Sequence, residues 1–416
     1  KVSRTLKENA YKAGRAKKLT KQRGKTKMNK KKSLVLLLAL SLVISMIPLQ
    51  ASAAVKSAGT PAEVQSLTSS ENLEHNFVNV TANGTSLYVE VETPIQASEF
   101  NVSVRKVQSG GSSAWYTRVY PTNAGDYYRF EFSLPNYVPR AGGALSGDYV
   151  LIITMKRGTG TSDVFYKNCA FRVSNGQFSI LQYDKIMKEN ARLDKKANKK
   201  KVSNFKKTNM SDVKSICFRD PVTKKVASVT TKKVKYFKTV SNQVVKGAST
   251  DYEKLLKIYE YVAENFYYDD IAFSSGTKQY VDPYRNLYNM RNKKKSANSQ
   301  GGKVATTCVG YSAAVCALAR AQGIPTRIVN GHHISLNNSS FNTWSTEKNI
   351  TELDHWWNEC YVDGRWITVD ATPGNSNKWN RNTNKWTYTG LTNYIYFDPT
   401  PEQLATSHVL LEIKGA

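Results

Sequence analysis

The stretch that most constrains this chain is Asp363-Gly364. It sits between residues 356–362 and 365–370, two runs rich in aromatic and β-branched side chains. An Asp-Gly pair in that setting is the strongest short-range hairpin signal, because a two-residue turn needs φ > 0 at both central positions. Such a turn fixes the register. Val362 then pairs with Arg365, Glu359 faces Thr368, Trp357 faces Asp370 and His355 faces Thr372. Cross-strand partners share a face, and so do alternate residues along a strand. His355, Trp357, Glu359, Tyr361, Trp366, Thr368 and Asp370 therefore lie on one face. Trp356, Asn358, Cys360, Val362, Ile367 and Val369 lie on the other, which makes Cys360 a core thiol. His355 and Asp370 become diagonal neighbours, close enough for the carboxylate to orient the imidazole. A loop of odd length would separate them.

A second stretch carries a nucleophile candidate. Residues 312–321 are small and apolar with good helix propensity, Gly323 suits a helix C-cap, and Pro325 blocks continuation. Cys308 then falls in the first turn of a helix, where the positive end of the dipole favours thiolate over thiol. The plain alternative is a buried structural thiol, since free cysteines are among the most buried residues. A cysteine at a helix N-terminus, followed by His and Asp sharing one face of a hairpin, has the parts of a thiol catalytic triad. Cys308 is the nucleophile, His355 the base, and Asp370 its orienting partner. The chemistry is acyl transfer or hydrolysis at an amide or ester carbonyl through a thioester. The backbone N–H of Cys308 is one oxyanion donor at a helix start. Gln300, upstream in a loop, is a further candidate, and Trp357 on the site face either lines the substrate cleft or packs. His332 and His333 follow a strand with no evident carboxylate and read as structural or solvated; His408 is unassigned.

The run Cys308-Val309-Gly310-Tyr311-Ser312, with Gly323-Ile324-Pro325, Val329-Asn330-Gly331, His355-Trp356-Trp357-Asn358-Glu359, Asp363-Gly364-Arg365-Trp366 and Asp370-Ala371-Thr372, resembles the transglutaminase-like superfamily core. The resemblance covers about residues 240–400, with order and spacing in agreement. It implies an α+β, papain-like fold and the same roles for Cys308, His355 and Asp370. Thr307, where relatives often carry a small residue, and Trp356, where Ala is common, depart from the pattern without removing a catalytic group. The family spans transglutaminases, cysteine peptidases, peptide-glycan amidases and members that have lost activity, so the resemblance gives the chemistry better than the substrate.

The remaining chain is read as context. Among the first 32 residues, fourteen Lys and Arg stand against Glu8, leaving +15 of the formal +28 for the rest. A basic surface suits anionic partners. Residues 28–32 are a positive n-region, residues 33–47 an apolar run of signal-peptide length, and Ala51-Ser52-Ala53 a small-x-small cleavage site. We expect 28–54 to be a secretory signal and 1–27 to lie upstream of the true start at Met28; the alternative is a basic tail on a signal anchor. The run is short for a membrane span. Residues 55–72 read as a flexible leader.

Residues 73–182 read as an all-β, immunoglobulin-like sandwich, from strand patterns at 87–91, 100–107, 127–134, 148–156 and 165–173 punctuated by Gly and Asn-Gly turns. Residues 183–208 read as a solvated basic linker; within 185–207, ten Lys or Arg stand against Glu189 and Asp194. Residues 209–416 complete the second domain. Within it, Thr250 and Glu253 form a capping box that opens a helix, and residues 275–303 read as a polar loop bordering the cleft. The linker lacks the aromatic interleaving that stacks bases, which argues against nucleic acid; an anionic cell-wall polymer is the partner it suits. The five cysteines, Cys169, Cys217, Cys308, Cys316 and Cys360, contain no CxxC, so no zinc site is suggested, and the odd count leaves at least one free thiol or an intermolecular bridge. No cofactor is implied. Two readings follow: a secreted thiol enzyme acting on protein or cell-wall peptide, and a catalytically silent surface module that binds through the sandwich and linker.

Overall fold

The computed structural model describes residues 65–415 apart from 69–76, 94–96, 108–114, 126, 136–145, 157–162, 277, 335–342, 346, 348, 375–376, 389–391 and 393. The segments read as signal peptide and as its upstream extension lie outside the described residues. No helix among the described residues is long and apolar enough to cross a membrane.

Alternating apolar residues in the first half build two antiparallel five-stranded sheets. One has the order β1 (Gln65–Thr68), β2 (Phe77–Asn83), β3 (Ser86–Thr93), β7 (Tyr127–Pro135), β6 (Thr122–Ala124). The other runs β10 (Gln177–Ile180), β9 (Asp163–Ser174), β8 (Gly147–Lys156), β4 (Glu99–Lys106), β5 (Trp115–Val119). Val80, Leu87, Val89 and Val91 from the first meet Phe100, Val102, Leu151 and Ile153 from the second in one core. The region is therefore a two-sheet β-sandwich. Strand β1 corrects the flexible leader: its residues pair with Asn79 to Ala82. The polar composition hid it, because residues 65–68 show no apolar alternation.

The basic stretch 183–208 is also corrected. Residues Asp184–Ala197 form helix α1. Ile186, Asn190 and Ala197 are buried on one side, whereas Lys185, Lys188, Arg192, Lys195 and Lys196 are exposed. With the partly buried Leu193, the buried residues recur at intervals of four, three and four, the helix period, which the charge count concealed. This face packs on β19 (His408–Lys414), and Asn190 donates to the His408 carbonyl at 3.2 Å while accepting from the Leu410 N–H at 2.8 Å. An edge strand's unpaired backbone groups are thereby satisfied. Asp194 and Asn198 add a clamp on the buried Arg327 guanidinium at 2.6 and 2.8 Å, and Arg327 also donates to Glu359 at 2.5 Å.

The second half is a mixed α and β core. Its longer helices are α2 (Thr231–Val244), α3 (Asp251–Asn265), α4 (Pro283–Arg291) and α5 (Cys308–Ala321). Thr250 and Glu253 form the capping box of α3. Helix α4 falls inside 275–303, so that stretch is not a simple loop: Asp282 caps it and Pro283 occupies its first turn, a start signal that the surrounding lysines obscured. Every residue of α5 except Val309 and Ala321 is buried, as its apolar circumference demands. It ends where Gly323 takes φ +81°, with Ile324 N–H bonded to the Ala319 carbonyl. Around α5 lie a four-stranded sheet, β16 (Arg365–Val369), β15 (His355–Val362), β14 (Thr326–His333), β19, and a small five-stranded sheet, β12 (Ser299–Gln300), β13 (Lys303–Thr306), β11 (Phe266–Tyr268), β17 (Lys378–Asn380), β18 (Lys385–Thr387). Asp363 and Gly364 have φ +50° and +82°, and β15 pairs with β16 in the register that the Asp-Gly turn predicts, Glu359 with Thr368 and Val362 with Arg365.

Candidate active site

Strand β13 delivers the chain to Thr307, whose extended backbone (φ −99°, ψ 179°) starts α5 with Cys308 in its first turn. Gly310 is needed there: a Cβ at that position would lie 1.9 Å from Thr306 Oγ1 and 2.7 Å from Thr306 Cβ. Thr306 is itself fixed by a 2.9 Å bond to the Tyr280 carbonyl. The tight strand-to-helix turn thus sets where the thiol points.

His355 opens β15, and Asp370 immediately follows β16. The His355 Nε2–Asp370 Oδ2 distance is 2.6 Å, and Cys308 hydrogen-bonds the same imidazole. With Nε2 turned to the carboxylate, Nδ1 is the nitrogen left for the thiol. All three side chains are buried. Burial alone would lower the His355 pKa; the charge and hydrogen bond of Asp370, joined by Cys308, overcome it and push it up to about 10. Burial works against ionisation of Asp370 too, yet His355 and His408 hold its carboxyl well below the usual carboxylate range. The arrangement suits an imidazolium held by a buried carboxylate, with the Cys308 side chain on its other side.

His408, which the sequence left unassigned, stands on the other side of Asp370. Its Nε2 lies 3.3 Å from the same Asp370 Oδ2, and its Nδ1 lies 2.8 Å from Ser407 Oγ, which in turn meets Tyr396 Oη at 3.0 Å. Burial pushes its pKa down to about 4 despite the pull of Asp370. No local pattern around residue 408 signalled this, because the contact depends on β19 pairing with β14.

The other candidates separate. Trp357 is fully buried, its ring stacked 5.6 Å from that of His355, so it packs behind the imidazole and does not line an open cleft. Gln300 is exposed on β12, where its Oε1 accepts from Asn384 at 3.2 Å; nothing joins it to Cys308. The glutamine that does approach is Gln279, whose Oε1 lies 3.4 Å from Thr307 Oγ1. His332 is not without a carboxylate: its Nδ1 lies 2.9 Å from Asp354 Oδ2. The donor atoms of His332, Glu352 and Asp354 lie within 4.8 Å of one another, and Asp354 also accepts from the His333 N–H at 3.3 Å. Cys217, Cys316 and Cys360 are buried free thiols. Burial raises all three, Cys316 to about 11, which leaves them inert core groups.

Residues 238–371 match the model of the transglutaminase-like superfamily. The human and mouse kyphoscoliosis peptidases are each 28% identical to this chain over 167 residues, which is 40% of this chain and 22% of theirs. The chain thus spans about a fifth of the length of these curated relatives. Among solved structures, red sea bream transglutaminase covers 69% of this chain and 48% of its own, at 11% identity and a TM-score of 0.23.

Proposed function

Because residues 238–371 belong to the transglutaminase-like superfamily, we propose that this protein is a thiol enzyme that opens amide bonds of protein or cell-wall peptide through a Cys308 thioester. The observation that carries the reading is the contact chain Cys308–His355–Asp370, with His355 2.6 Å from a carboxylate buried at the end of its own hairpin. Cys308 thiolate attacks the amide carbonyl, forming the C–S bond. The oxyanion is met by the backbone N–H of Cys308 at the start of α5. The C–N bond breaks as His355 Nδ1–H protonates the leaving nitrogen. His355, now neutral, takes a proton from an incoming amine or water, which attacks the thioester and releases Cys308. Asp370 keeps the ring oriented and its positive form favoured.

The sandwich, which we read as immunoglobulin-like, and the exposed Lys195, Lys196, Lys199, Lys200 and Lys201 suit contact with an anionic wall polymer. The signal-like segment 28–54 fits export. A glutamine-containing protein incubated with a labelled primary amine tests the chemistry: label incorporation lost in Cys308→Ala means transfer, ammonia release without label means hydrolysis. A Cys308 that iodoacetamide alkylates no faster than a thiol in the denatured chain would overturn the enzyme reading in favour of a silent binding module.

A further inference from the structure

Two imidazoles share one carboxylate oxygen in this site, and only one of them reaches the thiol. We propose that His408 is a positioning residue: it donates Nε2–H to Asp370 Oδ2, holds that oxygen in line with His355, and limits how strongly Asp370 draws on the His355 proton. The inference rests on the thiol-enzyme reading.

The tautomer follows from the partners. A carboxylate only accepts, so the Nε2 that faces Asp370 at 3.3 Å carries the proton. His408 is neutral at ordinary pH, since burial outweighs the pull of Asp370. Its Nδ1 is then bare and accepts the Ser407 hydroxyl proton at 2.8 Å, and Ser407 Oγ accepts from Tyr396 Oη at 3.0 Å. A chain of hydroxyls thus fixes the ring from behind. Asp370 Oδ1 is occupied separately by the Thr372 N–H at 3.0 Å, so Oδ2 is the oxygen on which the two histidines compete.

A hydrogen bond to a carboxylate stabilises its ionised form and lowers its remaining basicity. His355 must give its proton to a departing nitrogen, and a base works best when its pKa is near the working pH. Without His408, Oδ2 would pull harder on the His355 imidazolium, which would hold its proton too tightly. The other groups facing this trio do not duplicate the effect. Tyr259 from α3, Tyr268 from β11 and Tyr311 from α5 are kept as neutral phenols by burial. His333 of β14 packs its ring 4.3 Å from that of His408 and 5.1 Å from that of His355, and Asp354 acts on His408 only through its charge.

The test compares full-length wild type, His408→Met and His408→Gln, with Cys308→Ala to identify the labelled thiol. Gln keeps an N–H donor near the Nε2 position; Met fills the volume without one. The rate of Cys308 alkylation by iodoacetamide is followed from pH 5 to 11, and thermal melts set the temperature at which each variant is folded. The wild type should show an upper inflection where His355 loses its proton. In His408→Met that inflection should move up by at least about half a pH unit, and His408→Gln should stay with the wild type. A Met profile that superimposes on the wild type or moves down, or Gln and Met profiles equally displaced, would overturn the role. A wild-type Cys308 with no enhanced reactivity would instead overturn the enzyme reading beneath it.

Discussion

Asn190 and His408 meet across 218 residues of chain, the amide of the first donating to the backbone carbonyl of the second. Asn190 is buried and answers one donor and one acceptor on β19. Replacing it with Ala leaves both backbone groups buried without partners. Asn190→Ala is expected to cost about 2–4 kcal/mol, at roughly 1–3 kcal/mol for each orphaned group less some water entry. Urea unfolding measures this directly. The Asn190→Asp variant should recover only the acceptor half.

Asp370→Asn tests the orienting carboxylate. The amide retains the shape but loses the charge, so burial then dominates His355 and its pKa should fall below 6.5 instead of standing near 10. The thiol loses its imidazolium partner at neutral pH. Acyl transfer, or alkylation of Cys308 where no substrate is known, should drop by about 10²–10⁴, the scale seen when a triad carboxylate becomes an amide. A pH-rate profile with its upper inflection lost near pH 10 is the expected signature.

His408 makes stability depend on pH in a defined window. Its folded pKa, about 4, lies below its unfolded value near 6.5. Between those values the unfolded chain binds a proton that the folded chain refuses, so stability falls as pH falls. His355 has the opposite sign: its raised folded pKa contributes stability that is complete below 6.5 and is lost as pH rises towards 10. His408→Gln should remove an acid-side loss on the order of 3 kcal/mol between pH 6.5 and 4. Chemical denaturation of the two proteins at stepped pH gives the difference.

Arg327 is fully buried between Asp194 and Glu359 and lies over the Trp366 ring at 4.1 Å. Removing one member of a buried pair strands the other, at about 3–5 kcal/mol. Arg327→Met should therefore be severely destabilising. Glu359→Gln should cost less, because its amide oxygen can still accept from the Arg327 Nε–H while Asp194 remains as the charged partner. Thermal melts of the two variants should rank them in that order.

Gly310→Ala probes the turn that aims Cys308. A methyl group 1.9 Å from Thr306 Oγ1 and 2.7 Å from its Cβ cannot be absorbed by a side-chain tip. The first turn of α5 must shift, and alkylation of Cys308 should slow by about tenfold or more, since displacements of about 1 Å in a catalytic group cost as much as 10². The helix itself should survive, because Ala is the better helix former; circular dichroism separates the two effects.

What could be read in the sequence was what is local. Asp363-Gly364 dictated its own turn, and with it the placement of His355 beside Asp370. Thr250-Glu253 and Gly323 marked helix ends through short-range capping chemistry. The errors came where long-range partners override composition. Helix α1 was concealed by its lysines, and only β19, more than 200 residues later, gives Ile186 and Asn190 something to bury against. Gln300 looked available because it lies upstream of Cys308, but it pairs with Lys303 at the turn end of the β12-β13 hairpin and its side chain is engaged by Asn384. His408 and Tyr396 carry no motif, and their place beside Asp370 appears only once β14 and β19 are paired.

That docking of α1 on β19 has a consequence for how the molecule comes into being. A ribosome makes α1 long before the strand that covers its apolar side, and residue 408 emerges after Cys308, His355 and Asp370 are already in hand. Contacts this distant in sequence close late and slow the search. Until they close, Asp370 lacks its second imidazole and α1 exposes its buried face. A nascent chain of this protein should therefore carry its thiol without its full set of partners, and reach its final pH profile of reactivity only when the region around residues 408–414 has been added.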